Sequence, residues 1–390
     1  MKILLIGSTY PLDSSDPQVP WLRESVRQQV LLGHQIEILA PAYRGSKSHF
    51  LDSSRVIRFR YAPAIFETLT HGSGAPSKIK SPLMKLLGIP YLISGIIYTL
   101  LLCLKTRYDV IHVHWPFPHG IMGLFAKLLN KSKLVSTCHG AELALGQNSY
   151  WIQKLLIICL ALSDKVTANS SHTASRIQKL VTKPVEIIPY GATIHLPDIY
   201  SKPLEDPSVL KLLTCGRHIE RKGIPYLLKA MPLILKNSPA ILKITGEGNL
   251  TESWKQLAMD MGLLNTSVFF EGFVSSEKLA ELYNECDIYV HPSIHDSQGD
   301  TEGLGVVLVE ALAFKRPVVA SAVGGIVDVI EHNVSGILIP EKDPEALAEA
   351  IQSLVGDRSF ARDLGIRGQE RALTYFNWEN IALNTQKVYV

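Results

Sequence analysis

Short apolar runs alternate with helix-like stretches along almost this whole chain, and they do so twice, on either side of a proline-bearing segment. In the first half, 2–7, 35–40, 56–61, 110–114, 133–138, 165–168 and 185–188 read as strands. Helix patterns fall at 20–32, 121–129, 151–162 and 172–180. Gly33 follows the first helix as a C-terminal glycine should, and Pro41 stops the second strand. Pro189-Tyr190-Gly191 and 196–208, with Pro197, Pro203 and Pro207, read as a linker. The pattern then resumes, with strands at 209–215, 240–245, 268–271, 288–291, 318–321 and 336–339 and helices between them. Strand and helix in turn predict a parallel sheet covered on both faces. A chain of 390 residues is too long for one simple core. The fold class is therefore α/β, with two Rossmann-like, doubly wound domains at 1–195 and 205–374. Two such sheets facing each other put their loop ends at a shared cleft, because ligands of open α/β sheets bind at the carboxyl ends of the strands.

Composition narrows the class of function. Apolar residues make up 46% and charged residues 19%, which fits a globular protein. A net charge of +3, with no basic tail and no interleaving of aromatic and basic residues, argues against a nucleic-acid partner. The cysteines, Cys103, Cys138, Cys159, Cys215 and Cys286, are scattered without metal-ligand spacing. They read as small buried residues in a reducing, cytoplasmic setting. The opening MKILLIGSTYP is too short in its apolar run for a signal peptide. Residues 86–104 carry no charge, which is near the length of a membrane span. Pro90, Gly95 and the buried-strand pattern that follows favour a buried or membrane-surface helix instead. Lys78, Lys80, Lys85, Lys105 and Arg107 flank that stretch and suit an anionic surface. Plain burial in the first domain is the competing reading.

The chemistry concentrates at 291–312, HPSIHDSQGDTEGLGVVLVEAL. A strand ends there, a polar loop follows, and a helix pattern begins at Leu304. Glu302 stands just before that helix. Glu310 stands about two turns inside it, roughly 10 Å along the axis. Gly303 and Gly305 open the backbone N–H groups of the helix start to a ligand. Those groups have no intrahelical partners, and the helix dipole favours negative charge there. The pattern suits a diphosphate at the helix end, with one carboxylate for a sugar's hydroxyls and the other for a second polyol such as a ribose. Two solvated glutamates are the plain alternative. Glu310 argues against it, because a carboxylate inside the apolar run 306–312 needs a partner. After the first strand of the second half come Gly216-Arg217 and Arg221-Lys222-Gly223. An arginine fork and a lysine point charge suit a diphosphate leaving group. A solvated basic turn is the alternative reading. Gly246-Glu247-Gly248 is a tight turn open to a nucleotide, and no G-x-G-x-x-G supports a nicotinamide cofactor.

Glu302 and Glu310, separated by seven residues, with Pro-Ser before and Glu-Ala-Leu-Ala after, resemble the E-x7-E motif of retaining glycosyltransferases of the GT-B fold, family 4. VGGIVDVI at 323–330 and GILIP at 336–340 resemble the same family. The likeness covers nearly the whole chain and is strongest from 213 to 340. It implies that Arg217 and Lys222 grip the diphosphate of a nucleotide sugar. Glu302 would orient the sugar, Glu310 the ribose, and the backbone at Gly216, Gly246, Gly248, Gly303, Leu304 and Gly305 would line the donor. Phe273 and Val274 match the place where the family's backbone meets the nucleotide base. A strand end with a buried Phe is equally open. The closing stretch 375–390 resembles the family's last helix, which crosses back to the first domain.

His139, after the strand ending at Cys138, falls beside the donor sugar on this likeness; a hydrogen-bonded core histidine is the other reading. His112 and His114 read as structural or cleft-lining. The loop 8–19, with Tyr10, and Glu142 after His139 are candidates for the acceptor side. The family often carries two glycines in that loop and this chain does not. The implied activity is retaining hexosyl transfer from a nucleotide-diphosphate sugar to a glycan or lipid-linked acceptor. It needs no metal and no further cofactor, and no Asp-x-Asp occurs. No pair of carboxylates of the hydrolase kind is evident, which leaves a same-face substitution open. A GT-B isomerase or phosphorylase, and a non-catalytic sugar-nucleotide-binding module, are the rival readings. Peripheral contact with the inner membrane surface is a further expectation.

Overall fold

The computed structural model describes residues 1–72, 82–194 and 208–390, with side chains from 86 onward in the second segment. Lys78, Lys80, the Lys85 side chain and nearly all of the 196–208 segment lie outside the described residues. The chain divides into two compact units, Met1–Tyr190 with Trp378–Val390, and Gly191–Asn377. The sequence reading set its boundaries at 195, 205 and 375.

Unit 1 runs β1 (Lys2–Ile6), α1 (Pro20–Leu31), β2 (Gln35–Pro41), β3 (His49–Leu51), β4 (Ser54–Phe59), α2 (Pro82–Lys105), β5 (Val110–His114), α3 (Pro116–Asn130), β6 (Lys133–Cys138), α4 (Ala141–Gln147), α5 (Tyr150–Leu162), β7 (Lys165–Ala168), α6 (Ser171–Gln178) and β8 (Val185–Ile187). The sheet order is β3-β4-β2-β1-β5-β6-β7-β8. All pairs are parallel except β3 with β4. The order reverses between β1 and β5, so the loops after those two strands meet at a switch point. Successive side chains of β1 feed opposite faces: Leu4 and Ile6 join a core with Phe59, Tyr91 and Met122, while Ile3 and Leu5 join one with Leu22, Val26 and Ile38. β3 and α4 are too short for periodicity to reveal them.

Unit 2 runs β9 (Leu210–Cys215), α7 (Ile224–Leu235), β10 (Ala240–Thr245), α8 (Thr251–Asp260), β11 (Val268–Gly272), α9 (Ser276–Glu285), β12 (Ile288–His291), α10 (Val306–Ala313), β13 (Val318–Ser321), α11 (Ile326–Val329), β14 (Ile337–Ile339), α12 (Pro344–Gly356) and α13 (Arg358–Thr374). Its wholly parallel sheet has the order β11-β10-β9-β12-β13-β14, with the reversal between β9 and β12. The last helix, α14 (Trp378–Tyr389), belongs to unit 1. There the Gln29 amide donates to the Ala382 carbonyl at 2.8 Å, and the Tyr389 hydroxyl meets His112 Nδ1 at 2.8 Å. His112 also meets Thr137 Oγ1 at 2.7 Å, so it ties β5 and β6 to the last helix.

The layer of α3 on the sheet depends on a missing side chain. A Cβ at Gly123 would stand 2.6 Å from Val113 Cγ2 and 2.9 Å from Leu134 Cδ1. Gly123→Val is expected to cost about 1–3 kcal/mol through overpacking, read as a lower denaturant midpoint. Gly88→Ala, in α2, meets nothing within 4 Å and is expected to leave the midpoint unchanged or raise it.

Candidate functional site

In unit 2 the switch point brings together the segments after β9 and β12. Lys222 ends a 3-10 turn, Glu220–Lys222, and its Nζ lies 2.5 Å from Glu302 Oε2. His291, the last residue of β12, reaches the same carboxylate oxygen through Nε2 at 3.3 Å. The loop that carries Glu302 is fastened to the 3-10 turn. Arg221 Nη1 donates to Asp300 at 3.0 Å, the Ile294 amide donates to the Arg221 carbonyl at 2.9 Å, and Ser297 donates to Glu220 from both its amide and its hydroxyl. Sequence reasoning placed Lys222 and Glu302 on one ligand; the structure pairs them with each other.

Burial alone would raise the Glu302 carboxyl. Lys222, His291 and Arg221 outweigh it and hold the group well below the usual carboxylate range. Burial also pushes the His291 imidazole down, so at neutral pH this ring is uncharged. Glu302 is 9% exposed, so the ion pair is shielded from solvent screening. Arg217 is exposed by surface area, yet neighbouring atoms crowd its guanidinium, and that desolvation first and Arg221 second lower its pKa against the opposing pull of Glu302. Together with Lys222, Gly216, His218 and His291, Arg217 lines a shallow hollow at the ends of β9 and β10. The two cations expected to meet a diphosphate therefore stand at one place.

Two backbone approaches fix the floor of that place. Gly246 has φ 102°, and a Cβ on it would stand 2.1 Å from the Gly216 carbonyl oxygen. On the other side the Gly325 amide donates to the Glu302 carbonyl at 2.9 Å. A Cβ at Gly325 would stand 2.1 Å from the Gly303 carbonyl oxygen. The backbone at 302–303 is thus held by the turn after β13. Gly248 is likewise pressed against the His218 carbonyl.

The helix begins later than its pattern indicated. α10 starts at Val306, with Gly305 at its N-cap in the left-handed region (φ 89°) and no side-chain cap. Its first amides keep their capacity for an anion. Leu304 is buried, 2% exposed, so only its backbone is available to a ligand. Glu310 is the fifth residue of this helix, little more than one turn inside it rather than two. It is buried and has the partners that burial demands. Thr193 donates from Oγ1 at 2.8 Å and from its amide at 3.4 Å, and Tyr283 donates from its hydroxyl at 3.2 Å. Burial raises this carboxyl despite those bonds. A ribose hydroxyl arriving here must share the carboxylate with Thr193 or displace it. Phe273 is 68% exposed, which rules out the buried-Phe reading; Val274 beside it is half-buried.

Unit 1 holds the remaining candidates. His139 meets His114 Nδ1 through Nε2 at 3.0 Å and the Tyr190 hydroxyl through Nδ1, so both ring nitrogens are engaged. The rings of Trp21 and Trp115 stand 4.8 and 4.5 Å away, centre to centre. Burial drives the His139 pKa down to about 3, and the ring is neutral. The acceptor-side candidates fare differently. Tyr10 is wholly buried, so its side chain does not face an acceptor; it packs into the core between β1 and α1. Its loop is fastened rather than free, with Arg58 Nη2 donating to the carbonyls of Tyr10 and Pro11 at 2.7 Å each. Glu142 is 1% exposed and accepts the His139 amide at 2.7 Å. That bond holds the turn after β6 and turns the carboxylate inward. Sequence reasoning missed Thr193, Tyr283, His291, Trp21 and Tyr190. The partner that Glu310 needs was foreseeable, but not which residue supplies it.

Known protein families match this chain along most of its length. A family model for glycosyl transferases group 1 matches residues 198–371, and one for glycosyltransferase family 4 matches 21–195. An uncharacterised glycosyltransferase of Methanocaldococcus jannaschii is 29% identical over 302 residues, 73% of this chain and 75% of its own. The GDP-mannose-dependent α-(1-6)-phosphatidylinositol monomannoside mannosyltransferase of Mycobacterium tuberculosis is 28% identical over 280 residues, 68% and 71% of the two chains. Among solved structures, sucrose-phosphate synthase from Thermosynechococcus elongatus superposes with a TM-score of 0.78 at 22% identity, covering 100% and 98% of the two chains. Anabaena HepE, in complex with UDP and glucose, superposes with a TM-score of 0.71 at 18% identity, covering 99% and 98%. At these identities the two structures bear on the fold alone.

The Glu302 carboxyl sits below its ordinary value of 4.5. An unfolded chain therefore binds more protons as pH falls, and the stability this group supplies is complete above that value and lost below it. Glu302→Gln is expected to destabilise unit 2 by about 3 kcal/mol at neutral pH, because it strands the Lys222 charge. In denaturant titrations the gap between parent and variant should begin to narrow as pH falls below 4.5 and close only well below it.

Proposed function

This chain belongs to the group 1 glycosyltransferases, with the two-unit GT-B fold, and from that premise we propose that it is a retaining hexosyltransferase using a nucleotide-diphosphate sugar. The reading rests above all on the Lys222–Glu302 pair beside the uncapped start of α10, at the switch point of the second sheet. A diphosphate placed there would meet Lys222, Arg217 and the free amides of the helix. As the bond from the sugar's C1 to the diphosphate oxygen breaks, negative charge grows on the leaving group. Fixed cations stabilise that charge more than they stabilise the bound substrate, which lowers the barrier. The new bond to the acceptor hydroxyl forms on the same face, and the hydroxyl's proton passes to the departing diphosphate.

On this reading the cations and helix end supply the positive charge that a divalent ion supplies elsewhere, and no metal or other cofactor is required. Glu302 orients the sugar's hydroxyls through the face not taken by Lys222, and Glu310 holds the ribose. His139, neutral, shapes the sugar's surroundings by hydrogen bonding. The acceptor is a glycan or a lipid-linked intermediate of cell-envelope or exopolysaccharide synthesis. That a Mycobacterium tuberculosis relative is a phosphatidylinositol monomannoside mannosyltransferase supports a lipid-linked acceptor. The protein would work in the cytoplasm, in peripheral contact with the inner membrane surface.

A panel of nucleotide sugars, scored for donor hydrolysis and thermal stabilisation, tests the assignment. Glu310→Ala is expected to weaken nucleotide-sugar binding roughly ten- to hundredfold, the effect of losing a hydrogen bond to a charged group. Lys222→Ala is expected to lower turnover by about 10²–10³ with a smaller effect on binding. Parent-like behaviour of both variants would overturn these roles.

A further inference from the structure

Three helices of unit 1 present apolar outer faces, and none of the three carries an aspartate or glutamate. On α2 the exposed apolar residues are Leu86, Ile89, Ile93, Ile97, Leu101 and Leu104, each between 48% and 70% exposed. Their spacing of three and four places them in one stripe, about 27 Å long at ~1.5 Å per residue. The opposite side of the helix is committed to the protein. Tyr91, Thr99 and Cys103 are buried, and Gly95 lies against Met122 of α3. By length and composition Leu86–Lys105 could cross a membrane, and only 22% of it is buried. The buried side argues against crossing, since a helix that roofs a sheet cannot also leave it. The low burial argues equally against a core helix.

The stripe continues onto the neighbouring helices. α3 lies between α2 and α5, with Gly120 against Cys159 of α5. Its inner side sits on β5 and β6, and its outer side shows Phe125 and Leu128, the latter 78% exposed. α5 adds Trp151 at 72%, with Leu155, Ile158 and Leu162. Single exposed apolar side chains are ordinary, whereas a contiguous face of this extent marks an interaction surface.

Charge selects the occupant. Lys105 on α2, Lys154 on α5, and Arg107 and Lys131 in the adjoining turns are exposed. Lys154 stands 4.7 Å over the Tyr150 ring and 5.8 Å over that of Trp151, a cation and two amphipathic aromatics side by side. Lys127 of α3 is matched by Asp164 at 2.7 Å and adds nothing free. A second copy of this chain would bring two cationic rims together, which opposes self-association. Anionic lipids meet both needs at once, with acyl chains for the stripe and head groups for the rim. We propose that unit 1 docks flat on an anionic bilayer through the outer faces of α2, α3 and α5. This surface stands on unit 1 alone and is independent of what unit 2 transfers.

Flotation of the full chain with phosphatidylcholine vesicles, with and without phosphatidylglycerol, tests it. The protein is expected to float with the anionic vesicles and about tenfold less with the neutral ones. Ile93→Glu with Ile97→Glu, and separately Trp151→Ala with Ile158→Glu, should each reduce the bound fraction about tenfold. Circular dichroism and nucleotide-sugar hydrolysis in solution should stay at the parent's level. A loss confined to the α2 variant overturns the three-helix surface, and equal flotation with neutral vesicles overturns the role of the cations. Absence of flotation, with a dimer that the same variants disperse, assigns the face to a second copy and overturns the proposal. If the parent floats but hydrolyses no nucleotide sugar, the transfer reading fails and the docking surface stands.

Discussion

The second unit is organised by one ion pair, Lys222 with Glu302, across the line where its sheet reverses direction. The two residues lie far apart in sequence and arrive from different strands. Only a doubly wound order puts the ends of β9 and β12 side by side. A buried pair of this kind contributes little net stability, because desolvation cancels much of the attraction. Its use is to keep a lysine charged and aimed where water would otherwise be needed to solvate it. On the proposed reading, a ligand diphosphate that reached Lys222 would meet a cation whose position is already set, which would reduce the reorganisation needed when charge develops.

That setting is carried by backbone as much as by side chains. The turns after β9 and β10 touch through Gly216 and Gly246, and the turn after β13 grips the 302–303 peptide through Gly325. None of these contacts tolerates a Cβ. The anchoring of the 292–303 loop, through Asp300 and Ser297, to Arg221 and Glu220 has the same consequence, since it removes freedom from the segment that carries Glu302. The backbone around Lys222 and Glu302 is therefore held in place, which on the proposed reading would suit a site that stabilises a transient charge rather than follows it.

Much of this was legible in the chain. Strands buried on both faces read as continuous apolar runs, so the alternation that fixes a doubly wound fold stands in plain view. Arg217, Lys222, Glu302 and Glu310 could be picked out because charged residues at strand ends and inside apolar helices need a reason. What failed was local. Tyr10 and Glu142 stand at strand-end positions that face a cleft in principle, yet both are turned inward, one into a core and the other to an amide. Side-chain direction at such turns depends on neighbours distant in sequence, and Arg58, which fixes the Tyr10 loop, lies 48 residues away. The start of α10 was misplaced for a similar reason. Gly305 in a left-handed conformation delays the helix, and nothing in the pattern separates a glycine that opens a helix from one that precedes it.

The two units also differ in electrical character, and the difference bears on what each can do. Unit 2 concentrates charge at its switch point. Unit 1 concentrates imidazoles that burial keeps uncharged: His112 and His139 are driven to about 3 and His119 to about 4. A neutral imidazole bonded at both nitrogens orders its surroundings without adding a cation, and the rings of Trp21, Trp115 and Tyr190 around His139 add shape without charge. On the proposed reading this division is what the chemistry asks for. The diphosphate needs fixed positive charge, and unit 2 offers it through Lys222 and Arg217. His139, neutral and bonded at both nitrogens, would act by position rather than by charge.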